Sequence, residues 1–245
     1  MTLPPPETVL ITGASSGLGL AFFKHYASLP SPPSIVALDN TTFPPSHSSL
    51  LSPTTVFHQT DITSPDLPIP ATPISLLIHC AGTRGLVPAV VRSTPGDAAA
   101  AESLQAMDHA TLLKTLEVNT WGAFNVVRAA LPGLQDAARR GQRPKVVVLS
   151  SRMGSIGANR AGGGYAYRAS KAALNAIVRS FVVDAPDVTF LLLHPGRVET
   201  SLVEWKEEGA ISVEESLSDC LEVIDRVELA ESGKFTDRFG VEITW

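Results

Sequence analysis

Short runs of apolar residues alternate along the chain with longer segments in which apolar residues recur at helical spacing. Six runs, rich in β-branched residues and bounded by Gly, Pro or Ser, predict strands at 8–13, 34–40, 55–62, 75–82, 145–151 and 188–196. Helical spacing predicts helices at 17–29, 108–131, 165–182 and 213–229. Because the strand runs are continuously apolar, both faces of each strand should be buried. The pattern predicts an α/β fold, with a doubly wound parallel sheet and helices on both of its faces.

A proline-rich segment interrupts this pattern between residues 30 and 73, where ten prolines lie among many serines and threonines. Proline fixes φ and removes a backbone donor, so most of the segment should be loop around two short strands. The helix between those strands should be shortened or missing. A linker between domains is the alternative, but the strands on either side have the pattern of one sheet, so we predict a single domain over 1–245. A second loop or short helix is expected at 92–105.

Composition narrows the class of protein. A chain of 245 residues with 44% hydrophobic and 18% charged residues is typical of one globular α/β domain. Its net charge of −5 gives no basic surface for nucleic acid. Cys80 and Cys220 are too few for a disulfide framework or a zinc site, which favours a reducing cytoplasm. No run reaches the ~20 apolar residues of a membrane span, and the first run is more typical of a strand than of a signal peptide.

A glycine-rich turn, TGASSGLG, joins the first predicted strand to the first predicted helix. Glycine permits a tight turn and lets backbone amides approach a diphosphate, while the helix N-terminus adds partial positive charge. The turn therefore predicts a dinucleotide site, although an ordinary glycine-rich turn is the alternative. The residues predicted to form this contact are Gly13, Ser15, Ser16, Gly17, Leu18 and Gly19.

Asp39 ends the second predicted strand, about 20 residues beyond the glycine turn, where a carboxylate can bind both ribose hydroxyls of the adenosine half. Two unit charges about 4 Å apart repel by about 4 kcal/mol at an effective dielectric of about 20, so this carboxylate would oppose a 2′-phosphate. No Arg or Lys lies between Lys24 and Arg84, and Asn40 follows Asp39. These features favour NAD(H) over NADP(H). An Asp that caps a turn is the alternative.

Tyr167 and Lys171 lie one turn apart on one face of a predicted helix. Tyrosine titrates near pH 10, so proton transfer at neutral pH requires a stabilised phenolate. A nearby ammonium, together with the positive charge of an oxidised nicotinamide, provides that stabilisation. We predict that Tyr167 donates or accepts the proton, and that Lys171 biases its titration and holds the nicotinamide ribose. A chance pair on a surface helix is the alternative, and Tyr165 points to another face.

Ser151 ends the fifth predicted strand, at the carboxyl edge where open α/β sheets bind ligands. A hydroxyl there can donate to a substrate carbonyl oxygen as negative charge develops on it, a contribution of roughly 2–4 kcal/mol. Ser150 points to the other side of the strand. A serine that merely forms a turn is the alternative. The glycine-rich segment 157–164, before Tyr167, predicts a flexible flap.

Several motifs, in matching order, resemble the classical short-chain dehydrogenase/reductase family across essentially the whole chain: TGASSGLG, HCAG, EVNTWG, LSSRMGSI, YAYRASKAALN and HPGRVETSL. They are most similar to the branch of C-factor-like proteins and sniffer-type carbonyl reductases. The resemblance implies a Rossmann fold with a cofactor half at about 1–145 and a catalytic and substrate-lid half at about 146–245. It also selects Ser151 over Ser150. One departure is Cys80, which stands where the family has an Asn whose side chain braces the central strand.

The resemblance implies further contacts with the cofactor. Asp61 and Ile62 would contact the adenine, and Asn119 would hold a water that passes protons to Lys171, although a plain helix-surface asparagine is the alternative. The residues expected to approach the adenosine ribose are Cys80, Ala81 and Gly82. The residues expected to close over the nicotinamide carboxamide are Pro195, Gly196, Val198 and Thr200. We expect the adjacent His194 to be a packing residue rather than a base.

The implied function is an NAD(P)(H)-dependent oxidoreductase that transfers hydride between the nicotinamide and a ketone or secondary alcohol. Two alternatives remain open: a dinucleotide-binding signalling protein with little turnover, and an elimination, isomerisation or cyclisation on the same fold. The residues expected to contact substrate are Ser151, Met153, Tyr167 and Trp205. They suggest a small apolar, aromatic or alicyclic molecule.

Other expectations concern charge and assembly. The acidic residues Glu204, Glu207 and Glu208 in the expected lid, 201–216, disfavour an anionic substrate unless they form a solvated face. The resemblance implies a homodimer or homotetramer that pairs through the fourth and fifth helices, with Gly122 and Ala123 suited to close helix packing.

Overall fold

The computed structural model, which describes residues 8–203, 205 and 208–245, is built on one seven-stranded parallel sheet. Its strands are β1 (Thr8–Thr12), β2 (Ser34–Asp39), β3 (Thr55–Gln59), β4 (Leu76–His79), β5 (Lys145–Leu149), β6 (Thr189–His194) and β7 (Lys234–Asp237). They lie in the order β3-β2-β1-β4-β5-β6-β7. All six predicted strands are present, and the predicted doubly wound α/β fold is confirmed.

Helices connect the strands and cover the sheet. They are α1 (Gly17–Ala27), α2 (Pro88–Ser93), α3 (Ala98–Ala101), α4 (His109–Leu116), α5 (Ala123–Arg139), α6 (Tyr165–Asp184) and α7 (Val213–Arg226). A π-type turn, Glu117–Gly122, joins α4 to α5 in one continuous helical element. In the part of the chain that the structure describes, no helix combines the length and apolarity needed to cross a membrane.

Each face of the sheet is buried under its own apolar cluster. Leu10 and Leu77 belong to the cluster that α5 and α6 cover, whereas Val9 and Ile11 belong to the cluster that α1 and α7 cover. Side chains alternate between the two faces of a strand, so a strand buried on both faces must be apolar at every position. This explains why the strand sequences lack an alternating polar pattern.

The proline-rich segment forms the two short strands that the sequence predicts, and β2 pairs with β3 in the same sheet. Between them the structure has a 3₁₀ turn, Pro45–Leu50, where an ideal doubly wound fold has an α-helix. The prolines explain this difference, because each one removes a backbone donor from the segment.

The long central helix runs beyond its predicted end at residue 131. It continues through Pro132 to Arg139. Proline removes one backbone hydrogen bond, but Leu134 and Ala137 are fully buried, and their packing keeps the segment helical.

The edge strand β7 is absent from the apolar pattern, because its sequence, KFTD, holds one large apolar side chain, Phe235. Pairing with β6 makes this segment a strand. Its existence therefore depends on a neighbour that is distant in sequence.

Candidate active site

A cleft of about 560 Å³ opens at the carboxyl ends of the strands, beside the reversal of strand order between β1 and β4. The predicted site residues that line it are Gly13, Ser16, Gly17, Leu18, Gly19, Asp39, Asp61, Ile62, Cys80, Ala81, Gly82, Ser151, Tyr167, Lys171, Pro195, Gly196, Val198 and Thr200. Four predicted residues are not among the described residues that line it: Ser15, Asn119, Met153 and Trp205. The fold thus brings most of the predicted set to one place.

The glycine turn leads from β1 into α1, whose N-cap residue is Ser16. Gly13 has a φ of 67°, and a Cβ at this position would lie 2.8 Å from the Ala81 amide nitrogen. A Cβ at Gly19 would overlap the Gly13 carbonyl group. The first turn of α1 contains no acidic residue, and Ser16 makes no side-chain capping bond. The positively polarised start of α1 can therefore accept an anion, and the turn fits a diphosphate.

Asp39 lies in the cleft but is already bound on both oxygens. Its Oδ2 accepts hydrogen bonds from the Ser15 amide at 2.9 Å and the Ser15 hydroxyl at 2.6 Å. Its Oδ1 accepts from the Thr41 amide and hydroxyl, both at 3.1 Å. A carboxylate has about four acceptor positions, so ribose hydroxyls can bind Asp39 where the hydroxyl of Ser15 or Thr41 rotates away. Ser15 therefore orients the Asp39 carboxylate and is not among the described residues that line the cleft.

Asp61 and Ile62 follow β3 and line the cleft. The amide and hydroxyl of Thr63 donate to the Asp61 carboxylate and lower its pKa. Ile62 packs against Gly122, where a Cβ would lie 2.6 Å from the Ile62 Cδ1 atom. Ala123 is also buried in the core of the chain. These two small residues therefore pack inside the protein, and the expected homodimer or homotetramer stays a prediction.

Tyr167 and Lys171 lie in the first two turns of α6, and both line the cleft. The Lys171 Nζ atom is 5.7 Å from the centroid of the Tyr167 ring and donates to the Leu149 carbonyl at 2.9 Å. The two residues are 7% and 5% exposed. Burial lowers the pKa of the Lys171 ammonium to about 8. The sequence-predicted pair is therefore side by side in a place where an ammonium strongly favours a neighbouring phenolate.

Ser151 follows β5 and caps a short 3₁₀ turn, Arg152–Gly154. Its hydroxyl oxygen accepts from the Met153 amide at 3.1 Å, and a hydroxyl that accepts one bond can still donate its proton to a ligand. The Ser150 hydroxyl instead donates to Asn175 of α6 at 2.6 Å. This difference agrees with the choice of Ser151, whose catalytic role stays a prediction.

Asn119 lies in the π-type turn and is 1% exposed, so the alternative of a helix-surface asparagine is wrong. Its Oδ1 atom accepts from the Thr83 amide at 2.7 Å. Its Nδ2 atom donates to the Thr83 carbonyl at 2.8 Å and to the Ser170 hydroxyl at 2.9 Å. The Asn119 side chain therefore joins the loop after β4 to the helix that carries Lys171. The water expected at Asn119 stays a prediction.

The loop after β4 is braced although Cys80 replaces the family asparagine. The Thr12 hydroxyl oxygen accepts from the Ala81 amide at 3.2 Å and bonds to His79 Nδ1 at 2.9 Å. Together with the bonds of Asn119 to Thr83, this contact holds the loop at both ends. The replacement therefore leaves the central strand fixed through other side chains.

The loop after β6 crosses the glycine turn. The Ser201 hydroxyl donates to the Ser16 hydroxyl at 3.0 Å, and a Cβ on Gly17 would lie 3.1 Å from the Thr200 Cγ2 atom.

Of the acidic residues in the expected lid, Glu204 and Glu207 lie outside the described residues. Glu208 is exposed, which fits a solvated position.

Met153 and Trp205, the predicted substrate contacts beyond the catalytic residues, are both partly buried. The Cε atom of Met153 lies 2.6 Å from the position of a Cβ on Gly164, at the end of the glycine-rich segment. This segment is bonded near both ends, by the Gly157 amide to the Trp245 carbonyl at 2.9 Å and by Arg168 to the Gly163 carbonyl at 3.0 Å. Its flexibility and the substrate contacts stay predictions.

Comparison with known proteins identifies a family for this chain. Residues 7–210 match the family model of the short chain dehydrogenases.

The chain belongs to the short-chain dehydrogenase family.

Within the family, C-signal of Myxococcus xanthus is 38% identical over 175 residues, which cover 71% of this chain and 93% of that protein. The carbonyl reductase Sniffer of D. melanogaster has a TM-score of 0.79 at 26% identity, over 98% of this chain and 99% of that one. The NADPH-bound carbonyl reductase from chicken fatty liver shares the fold, with a TM-score of 0.83 at 24% identity over 100% of this chain and 96% of that one. This short-chain dehydrogenase is thus an oxidoreductase of an NAD(P)-dependent family, in the branch that the sequence motifs predict.

Several cleft residues of this short-chain dehydrogenase were not predicted. They include Thr41, Lys114 and Ser201. Thr41 could have been found, because an Asp followed two residues later by Thr is a common turn in which the carboxylate binds the later amide. His194 also lines the cleft, where burial lowers the pKa of its imidazole to about 4. The expectation that it is no base stays a prediction.

Proposed function

We propose that this short-chain dehydrogenase is an NAD(H)-dependent carbonyl reductase or alcohol dehydrogenase, which transfers hydride between the nicotinamide and a ketone or secondary alcohol. The observation that carries the proposal is that Ser151, Tyr167 and Lys171 line the same cleft as the glycine turn and Asp39. A proton donor with its cation, an oxyanion donor and a diphosphate cradle are the groups that this reaction requires.

The bound nicotinamide supplies the hydride donor or acceptor. In the proposed mechanism, the Ser151 hydroxyl donates to the substrate oxygen and stabilises the negative charge that develops there. Tyr167 transfers a proton to that oxygen in reduction and accepts it in oxidation. Lys171 stabilises the phenolate that remains after proton transfer, and the burial of both side chains strengthens this attraction.

A panel of small ketones and secondary alcohols tests the proposal, with turnover followed at the nicotinamide absorbance band. We expect turnover of at least one apolar ketone, because the protonating and polarising groups share one cleft with the cofactor cradle. Saturable dinucleotide binding without turnover across the panel would contradict the proposed enzyme. Failure to bind NADH and NADPH would overturn the cofactor site as well.

The preference for NAD(H) rests on Asp39 and on the charges around it. The carboxylate is 8% exposed and held in place by Ser15 and Thr41, so it cannot turn away from a 2′-phosphate without breaking those bonds. The described lysines that line the cleft are Lys114 and Lys171. Lys114 is paired with Glu117 at 2.8 Å, and Lys171 lies beside Tyr167. This arrangement favours an unphosphorylated adenosine ribose.

Replacing Asp39 with Asn is expected to lower the ratio of the NADPH Kd to the NADH Kd at least tenfold. The substitution removes the charge that repels a 2′-phosphate and retains the side-chain volume. Fluorescence titration with each dinucleotide measures the two Kd values. Asp61→Asn is the matched control, since Asp61 also lines the cleft, and its Kd ratio should stay unchanged. An unchanged ratio in Asp39→Asn, or a tighter wild-type complex with NADPH, would contradict the proposed preference.

For the substrate, we favour a small apolar, aromatic or alicyclic ketone. The Met153 amide binds the Ser151 hydroxyl, so the thioether side chain begins next to the group that would polarise the substrate carbonyl. The neighbouring cation, Arg152, is paired with Asp237 at 3.3 Å. These contacts support an apolar rather than an anionic substrate. A cytoplasmic homodimer or homotetramer remains part of the proposal.

A second candidate is a dinucleotide-binding protein that acts in signalling with little turnover. It is favoured by the 38% identity to a protein named C-signal. The two candidates differ in one result, because a signalling effect that depends on dinucleotide binding alone would survive Tyr167→Phe. The presence of Ser151, Tyr167 and Lys171 in one cleft makes redox chemistry our first candidate over signalling and over a non-redox reaction.

A further inference from the structure

A buried ion pair lies against the Tyr167 ring. The Arg84 Cζ atom is 5.0 Å from the ring centroid. The Nε and Nη2 atoms of Arg84 each donate to one carboxylate oxygen of Glu102, both at 2.9 Å. The Arg84 and Glu102 side chains are 15% and 12% exposed. A two-point contact of this kind fixes the plane of the guanidinium group, so the cation has one orientation relative to the ring.

The backbone holds Arg84 from both sides. The preceding residue, Thr83, is bound through its amide and its carbonyl to the Asn119 side chain. The following residue, Gly85, has a φ of 73°, and a Cβ there would overlap the Thr115 hydroxyl and lie 3.1 Å from the Ala166 Cβ atom. The loop that carries Arg84 is therefore pressed between α4 and α6.

Glu102 connects the same ion pair to the beginning of α6. Its backbone carbonyl accepts from the Gly164 amide at 3.0 Å. Gly164 is the N-cap residue of α6 and has a φ of 58°. Because Tyr167 lies in the first turn of this helix, Glu102 contacts the segment that carries the ring as well as the cation over the ring.

We propose that Arg84, held by Glu102, is a positioning residue that fixes the Tyr167 ring and stabilises its phenolate. The inference rests on the proposed role of Tyr167 in proton transfer. A cation near an aromatic ring is attracted by its electron density, and ionisation of the phenol increases that density. Lys171 Nζ lies 5.7 Å from the same ring centroid. Two cations from different elements therefore act on one ring, and together they favour its ionised form.

In the part of the chain that the structure describes, several other charged or titratable side chains near these groups are neutral, paired or partly opposing. Glu102 partly offsets the charge of Arg84, so removal of the carboxylate should strengthen the field at the ring. His79 and Cys80 interact with Lys171, but burial lowers the pKa of His79 to about 3 and raises that of Cys80. Both are therefore neutral at pH 7. Arg152 is mostly exposed and is paired with Asp237.

The ionisation of Tyr167 can be measured without turnover. The phenolate absorbs in the ultraviolet, and subtraction of the spectrum of Tyr167→Phe at each pH isolates this one of the three tyrosines. Each substitution is made both with Tyr167 and in the Tyr167→Phe background. Arg84→Met is expected to raise the pKa of Tyr167 by about one pH unit, because a stabilising cation is lost. Glu102→Gln should lower it, and Arg84→Lys should restore part of the wild-type value.

An effect through charge predicts that the pKa of Tyr167 shifts in opposite directions in Arg84→Met and Glu102→Gln. A purely structural role would not produce shifts of opposite sign. The double variant Arg84→Met/Glu102→Met removes both charges, so it leaves no buried unpaired carboxylate. Arg152→Met removes a different cation as a control, and it is expected to leave the titration of Tyr167 unchanged. If Arg84→Met fails to fold, the shifts of Glu102→Gln and Arg84→Lys decide the question. Unshifted titrations beside normal turnover would overturn the inference alone. Shifted titrations in a protein without any turnover would contradict the proposed function alone.

Discussion

Tyr167→Phe is expected to lower kcat by about 10²- to 10⁴-fold, because the hydroxyl that transfers the proton is removed. The phenyl ring keeps its volume in a site that is 7% exposed, so the fold and the neighbouring cations should be retained. The Kd for the dinucleotide should therefore stay close to the wild-type value. Steady-state kinetics on a ketone that the wild-type protein reduces, combined with a dinucleotide titration, measure both quantities.

Tyr165→Phe is the matched control for this substitution. Tyr165 begins the same helix but is 39% exposed and points away from Lys171, so its hydroxyl should contribute little. The proposal predicts near-normal turnover in this variant. Comparable losses in both variants, or normal turnover in Tyr167→Phe, would remove Tyr167 from the mechanism.

Lys171→Met is expected to lower turnover at pH 7 by at least about 10²-fold and to move the remaining activity to higher pH, because the phenolate loses its nearest ammonium.

The same substitution, Lys171→Met, should make the cofactor-free protein more stable at pH 7. Burial lowers the pKa of Lys171 from 10.5 to about 8, because its charged ammonium is largely removed from solvent. This burial costs about 3 kcal/mol at pH 7. Loss of the bond to the Leu149 carbonyl offsets part of the gain.

The sign of the pH dependence follows from the same shift. Between pH 8 and 10.5 the unfolded chain still binds a proton at Lys171 and the folded protein has released it, so wild-type stability rises with pH in this window. Lys171→Met should lack this part of the rise. Lys145, whose pKa is also lowered by burial, contributes equally to both proteins. Denaturant unfolding at several pH values measures the effect, and parallel stability curves would contradict it.

The most predictable parts of the site depend on local spacing. Tyr167 and Lys171 share a helix, and a period of 3.6 residues places them one turn apart whatever the helix packs against. The glycine turn is predictable for the same reason, since Gly13 requires a positive φ within the turn itself. Strand sequences buried on both faces predict a parallel sheet, whose carboxyl edge then gathers Asp39 and Ser151.

Other features depend on neighbours that are distant in the chain. The hydrogen bonds from Ser15 to Asp39 depend on the pairing of β1 with β2, and the Arg84–Glu102 pair requires two loops to meet beside α6. The helix continues past Pro132 although proline disfavours a helix interior, and β7 forms although its sequence has no strand pattern. Packing against the core stabilises both segments.

By itself the sequence determined the fold class, through apolar runs that recur along the chain. It also determined the glycine turn and the Tyr167–Lys171 pair, because each of these is encoded by residues a few positions apart. Only the tertiary structure decided which polar side chains are engaged by other residues of the protein and which cation lies over the Tyr167 ring. Those outcomes depend on distances between separate elements, and neither apolar periodicity nor motif spacing along one segment contains that information.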